Sequence, residues 1–116
     1  MEMLMSLLGS LVHKMYEFIT IDTDGMTDEE MKKAMDRHIL NCKMVSKFAR
    51  QLPGKKVYRV NGKFCKPAYW VFKTLVEIRD NTAHPDTEVF GVTARELKKK
   101  HENTRYMTSE EFYLKS

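Results

Sequence analysis

The apolar residues in the first part of the chain recur at the spacing of an amphipathic helix. Between Met3 and Ile19 they fall alternately four and three positions apart, at Leu4, Leu8, Leu11, Met15 and Phe18. This spacing places them on one face of an α-helix. The segment that ends at Gly25 has the composition of a turn and predicts the end of this first helix.

A second, longer helix is predicted from Thr27 to Gln51 or Leu52. Thr27 and Glu30 have the spacing of a capping box, and the Pro53-Gly54 pair stops a helix. The same apolar spacing predicts a broad buried arc. Its expected members are Met31, Met35, His38, Ile39, Cys42, Val45, Phe48, Ala49 and Leu52.

The pattern changes after the second helix. Asn61-Gly62 separates two short runs of β-forming residues and predicts a hairpin, because both turn residues tolerate positive φ. Pro67 suits the first turn of a third helix, from Ala68 to about Arg79. Its expected buried side consists of Ala68, Val71, Phe72, Leu75, Val76 and Ile78.

The last part of the chain is more polar. Residues 81–90 contain Pro85 and lack periodicity, so they are predicted to form a loop. Two capping boxes, at Thr93 and Thr108, predict a short helix to about Asn103 and a final helical turn or two. We expect these tail helices to cover the core while adding little to it.

These elements predict a single domain, residues 1–116, of the mainly α class (α-rich α+β). Its expected architecture is three principal helices, a small hairpin between the second and third, and a short helical tail. The length suits one hydrophobic core.

The charge is concentrated in the middle of the chain. Between Lys32 and Lys73 there are twelve Lys and Arg residues and one acid, Asp36, although the whole chain carries a net charge of only +4. Six aromatic residues lie in the same stretch. Basic density with interleaved aromatic residues is typical of nucleic-acid binding, since cations contact phosphates and aromatic faces stack on bases.

The leading prediction is therefore a small, non-enzymatic accessory or regulatory protein that binds DNA or RNA. The predicted binding residues are Lys43, Lys47, Arg50, Lys55, Lys56, Arg59, Lys63, Lys66, Tyr69, Trp70 and Lys73. For Trp70, burial under the tail helices is the competing interpretation. An acidic protein partner could use the same charge, which would make the chain an interaction module or inhibitor. The acidic flanks could also pair with a second copy, so a homodimer is left open.

Composition narrows the setting. No apolar run approaches the roughly 20 residues that span a bilayer, so no membrane association is expected. The N-terminal apolar stretch lacks a basic leader and is interpreted as a core helix. With only Cys42 and Cys65, we expect reduced thiols in the cytoplasm. His38 and Cys42, one helical turn apart, could join Cys65 and His84 around zinc, but no paired-ligand spacing supports this. We therefore predict neither a metal nor a cofactor.

One short motif suggests an enzymatic alternative. Arg79-Asp-Asn-Thr-Ala-His84, at the end of the third helix, resembles the R-x4-H motif of HEPN-type ribonucleases. In that family the two residues come from a helical bundle, usually paired across a dimer, and cleave RNA. The resemblance implies that Arg79 stabilises phosphate charge and that His84 transfers a proton. The other interpretation is a helix C-terminus with Arg79 near its last carbonyls.

Overall fold

The computed structural model describes residues 2–21, 23–52, 59–60, 63–64 and 66–101. Among these residues the architecture is mainly helical, with four helices, a short strand pair between the second and third, and a two-stranded antiparallel hairpin between the third and fourth. The helices are α1 (Glu2–Thr20), α2 (Asp28–Ala49), α3 (Pro67–Arg79) and α4 (Ala94–His101). The predicted turn after Thr108 lies outside the described residues.

α1 contributes the centre of the core, as its apolar spacing predicts. Leu8, Val12 and Met15 are fully buried, and Leu11 and Tyr16 are nearly so. The helix has no basic residue in its last turn. A cation from α3 takes that place, because Arg79 Nη1 donates to the Ile19 carbonyl at 3.2 Å.

α2 begins with the predicted capping box. The Thr27 hydroxyl accepts from the Glu30 amide at 3.2 Å, and the Glu30 carboxylate accepts from the Thr27 amide at 3.0 Å. Because both bonds satisfy amides that have no partner within the helix, they mark its start. Beyond Ala49, i to i+3 bonds continue the turn to Leu52, in agreement with the predicted end.

The predicted buried arc of α2 is partly wrong. Ala34, His38, Val45 and Ala49 are buried, whereas Met31, Met35 and Ile39 are exposed. Ala34 instead packs against residues at the α1–α2 turn: Phe18, Ile21 and Met26. The small alanine allows the close approach there, which leaves the larger methionines outside.

α3 ends in a Schellman motif. Asn81, the residue after the Asp80 C-cap, has φ of 62° and its amide donates to the Ile78 carbonyl at 3.2 Å. The Thr82 amide donates to the Glu77 carbonyl at 2.9 Å. These two bonds satisfy the last carbonyls of the helix. The buried side of α3 consists of Pro67, Val71, Thr74, Leu75 and Ile78; Phe72, predicted to be buried, is exposed.

Two pairs of short strands are present among the described residues, one after α2 and one after α3. β1 (Arg59–Val60) and β2 (Lys63–Phe64) pair antiparallel between α2 and α3, with Arg59 opposite Phe64. The side chains of β1 and β2 and the turn residues 61–62 lie outside the described residues. β3 (Glu88–Val89) and β4 (Val92–Thr93) pair antiparallel after α3, so the predicted loop over residues 81–90 was wrong at its end.

The turn between β3 and β4 lacks the residues that usually indicate a hairpin, so the sequence did not predict this strand pair. Phe90 and Gly91 both have positive φ, 48° and 84°, the arrangement of a type I′ turn. A phenylalanine is unfavourable there and occurs only when other contacts compensate. Phe90 is buried, and its ring meets Trp70 edge-on with 6.2 Å between ring centroids.

α4 belongs to the core, so the expectation that the tail adds little was wrong. Ala94, Leu97 and His101 are buried, and Leu97 is fully enclosed. The Thr93 hydroxyl caps the helix by accepting from the Glu96 amide at 3.1 Å. Its first amides are also paired, because those of Ala94 and Arg95 donate to loop carbonyls. α4 therefore packs against α1 and α3, and the hairpin contacts α3 through Phe90 and Trp70.

None of the helices described combines the length and the apolar character that crossing a membrane requires.

Candidate nucleic-acid interface

An open groove of about 540 Å³ lies between the second half of α2 and the start of α3. Lys43, Lys47 and Arg50 are spaced four and three residues apart, so they project from one side of α2. The N-cap of α3, Lys66, completes the set of cations. The remaining lining consists of Ile39, Cys42, Ser46 and Ala68. We call this feature the basic groove.

Among the residues that the structure describes, the basic groove is lined by four cationic side chains and no acidic one. All four of these residues are exposed. Within the described part of the chain, none of them makes an ion pair. Like charges gathered in a concavity raise the local concentration of anions, and a bound polyanion lowers their mutual repulsion.

The other predicted binding residues are placed differently. Lys55 and Lys56 lie outside the described residues, and for Arg59 and Lys63 only the backbone is described. Tyr69 and Lys73 are exposed on α3 but are not among the residues that line the groove.

Trp70 does not share that exposed position. Its ring is half-buried and packs against Phe90 at the turn between β3 and β4. The competing interpretation placed the tail helices over Trp70, whereas its ring partner Phe90 belongs to the turn between β3 and β4. Of the two predicted aromatic binding residues, both of which the structure describes, Tyr69 is the one whose side chain is exposed.

His38 and Cys42 occupy the boundary between the core and the basic groove. The His38 ring stacks on Phe18 with 4.1 Å between centroids, and its Nε2 lies 3.7 Å from Cys42 Sγ. Burial lowers the pKa of His38 and raises the pKa of the Cys42 thiol, so both are neutral near pH 7. Cys42 is a free thiol, and Cys65 lies outside the described residues.

The described residues of the zinc alternative, His38, Cys42 and His84, do not form a metal site. His84 is 73% exposed in the loop after α3, where its Nδ1 accepts from the Asp86 amide at 3.0 Å. Among the residues that the structure describes, no group of three or more His, Cys, Asp or Glu side chains could hold a metal ion.

Arg79 and His84 have separate partners. Arg79 donates to the Ile19 carbonyl and to the carboxylate of Asp80, at 3.0 Å from its Nε. His84 faces Asp86 instead. His84 lies in a loop, as the other interpretation expects, but the carbonyl that Arg79 contacts belongs to the end of α1 and not to its own helix, α3. In the described part of the chain, Arg79 and His84 of the R-x4-H motif share no hydrogen bond or ion pair.

A partly buried histidine pair, which no sequence pattern indicated, joins α1 to α4. His13 Nδ1 and His101 Nε2 are 3.0 Å apart, so one ring donates a hydrogen bond to the other. Carboxylates face the outer nitrogens, Glu96 at 3.7 Å from His13 and Glu17 at 3.9 Å from His101. Burial and the nearby Lys100 ammonium lower the pKa of His13. The two histidines are 88 positions apart in the sequence. Helix and strand periodicity relate only residues that are close in sequence, so they could not predict this contact.

A second cavity, of about 340 Å³, lies between the end of α3 and the start of α4. Its lining is Ile78, Asn81, Ala83, Pro85, Ala94, Arg95 and Lys98. Arg95 is already paired with Asp86 at 3.1 Å. This cavity therefore offers fewer unpaired cations than the basic groove.

Comparisons of the chain with protein-family models, curated proteins and solved structures found no match. The functional assignment therefore depends on the geometry of the chain's own residues, above all those of the basic groove.

Proposed function

We propose that this chain is a non-enzymatic accessory or regulatory protein that binds nucleic-acid phosphates in the basic groove. The observation that carries the proposal is the convergence of Lys43, Lys47, Arg50 and Lys66 on one concavity, whose described lining contains no acidic residue. Two separate elements supply these cations. A lysine-rich surface that served only solubility would not require such convergence.

The expected strength of this interaction follows from counterion release. Four neutralised phosphates predict a slope of about −2.8 for log affinity against log salt on a single strand. Between 50 and 200 mM salt, the basic groove alone would then lose roughly 50-fold in affinity. Contributions from Lys55, Lys56, Arg59 or Lys63 would make the dependence steeper.

The test is a titration of a labelled oligonucleotide with the protein at several salt concentrations, in which fluorescence anisotropy measures binding. Lys43→Ala/Lys47→Ala removes two groove cations and should reduce the slope by about 1.4. The matched control is Lys14→Ala/Lys99→Ala, which removes the same charge from exposed positions on α1 and α4. Equal losses in both double variants, or no binding by wild type at low salt, would overturn the proposal.

A second function is favoured by one observation, the exposed apolar row on α2. Met31, Met35 and Ile39 are four residues apart and more than a third exposed, and Ile39 also lines the basic groove. Methionine side chains adapt to varied partners. An acidic protein with an apolar stripe could therefore cover this row and pair with the neighbouring cations.

The two functions respond differently to a neutral substitution. Met35→Gln/Ile39→Gln keeps every charge, so phosphate binding should change little. If the partner is an acidic protein, the complex recovered from native lysate should survive nuclease treatment and be lost in this variant.

A further inference from the structure

We infer that the nucleic acid is single-stranded, with one base stacked on Tyr69 while the basic groove holds the neighbouring phosphates. This inference rests on the proposed function and specifies its partner. Tyr69 is 62% exposed and follows Ala68, which lines the groove. A tyrosine in the core or at a helix contact would be largely covered, whereas most of the Tyr69 side chain is accessible.

The cations around Tyr69 suit a stacked base. Lys66, the exposed N-cap of α3, precedes Tyr69 by three positions, and the exposed Lys73 follows Tyr69 by four, one turn further along the helix. A base stacked on the ring would have a cation towards the phosphate on each side. Successive bases on aromatic faces, with a basic track for the backbone, are the usual arrangement of single-strand binding.

The neighbouring aromatic residues cannot replace Tyr69. Trp70 packs on Phe90. Phe72, one turn further along α3, meets the His38 ring edge-on with 5.5 Å between centroids, which holds it at the α2–α3 contact. Tyr69 has no such ring partner among the described residues.

The shape of the site also favours a single strand over a duplex. Reading a duplex in its major groove, about 12 Å wide, requires an α-helix or a two-stranded ribbon that enters it. Here the cations of α2 face a concavity shared with the start of α3. The bases of a duplex are already stacked on each other, so Tyr69 would have no free base to contact. An extended strand can lie in the concavity and present unpaired bases.

The experiment compares a labelled oligothymidylate and an oligouridylate of about 12 nucleotides, within the range of known single-strand site sizes, with a duplex of equal length. The proteins are wild type, Tyr69→Ala and Tyr69→Phe. Tyr69→Ala should weaken single-strand binding on the order of 5- to 100-fold and leave the salt slope unchanged, because no cation is lost. Tyr69→Phe should bind almost as wild type does, because it retains the ring.

Each outcome supports or overturns the inference. Tighter binding of either single strand than of the duplex, with a Tyr69→Ala loss confined to single strands, supports it. A duplex bound as tightly as the single strands, or equal losses on both, overturns it and leaves phosphate binding in the groove intact. If no nucleic acid binds at low salt, the proposed function itself fails. Unchanged circular dichroism of the exposed-site variants excludes misfolding as the cause.

Discussion

Replacement of Leu97 by alanine tests whether α4 belongs to the cooperative core. The side chain is 0% exposed and lies in the same cluster as Leu8 and Leu75. The substitution removes three carbon atoms, worth about 0.8 kcal/mol each, or roughly 2.4 kcal/mol of transfer free energy. The residual cavity raises the expected cost to about 3–4 kcal/mol. Since domains of this kind have a total stability of about 5–15 kcal/mol, this is a large fraction.

The assay is equilibrium unfolding in urea, followed by both tryptophan fluorescence and helical circular dichroism. Trp70 is the only tryptophan and packs on Phe90 next to the hairpin that leads into α4, so its emission reports on that region. Coincident transitions for the two signals are expected of a single cooperative unit. The matched control is Lys99→Ala, an exposed position on the same helix, which should change stability by less than about 0.5 kcal/mol.

Two results would refute the reasoning. A loss below about 1 kcal/mol for Leu97→Ala would mean that its burial contributes little, in conflict with the cost of core truncation. Separate fluorescence and circular dichroism transitions in wild type would mean that α4 and the hairpin unfold independently of the bundle.

Three further predictions concern local features. Burial lowers the pKa of His13 in the folded chain below its ordinary 6.5. As the pH falls, the unfolded chain therefore takes up this proton at a higher pH than the folded chain does. Stability should be full above about pH 6.5 and decline below it, and a urea midpoint that rises from pH 7 to pH 5.5 would contradict this sign. Asn81→Ala should cost about 1 kcal/mol at its positive φ, while Asn81→Gly should cost nothing; equal melting temperatures for both variants would argue against a Schellman end. Thr27→Ala breaks the capping box with Glu30 and should cost about 1 kcal/mol in urea titrations, and an unchanged midpoint would show that the cap is dispensable.

The helices were predictable because their signals are local. Apolar spacing, the Thr27 capping box and Pro67 act within a few residues and agree with the observed bounds of α1, α2 and α3. The grouping of Lys43, Lys47 and Arg50 is equally local, since helical spacing alone puts them on one side. The convergence of Lys66 on the same groove is not, because it depends on how α3 packs against α2.

The remaining features depend on contacts between distant parts of the chain. α4 has the composition of a solvated helix, with Leu97 as its one strong apolar residue, and only its contact with α1 and α3 shows that it is buried. Phe90 conflicts with its own backbone preference and is held by burial against Trp70. On α2, the apolar spacing predicted that Met31 and Met35 are buried. In the structure Ala34 is buried instead, against residues near the α1–α2 turn, and the two methionines are exposed.

The joining of α1 to α4 also has a consequence for how the chain reaches its native state. The His13–His101 contact closes a loop of 88 positions, which costs about 4 kcal/mol of chain entropy by the logarithmic rule. Helices that are neighbours in sequence can pair sooner, because their loops are short. During synthesis, the side of α1 that α4 covers therefore stays exposed until the ribosome has released residues beyond 101. Over that interval, a chaperone or a neighbouring nascent chain has access to a surface that the finished protein conceals.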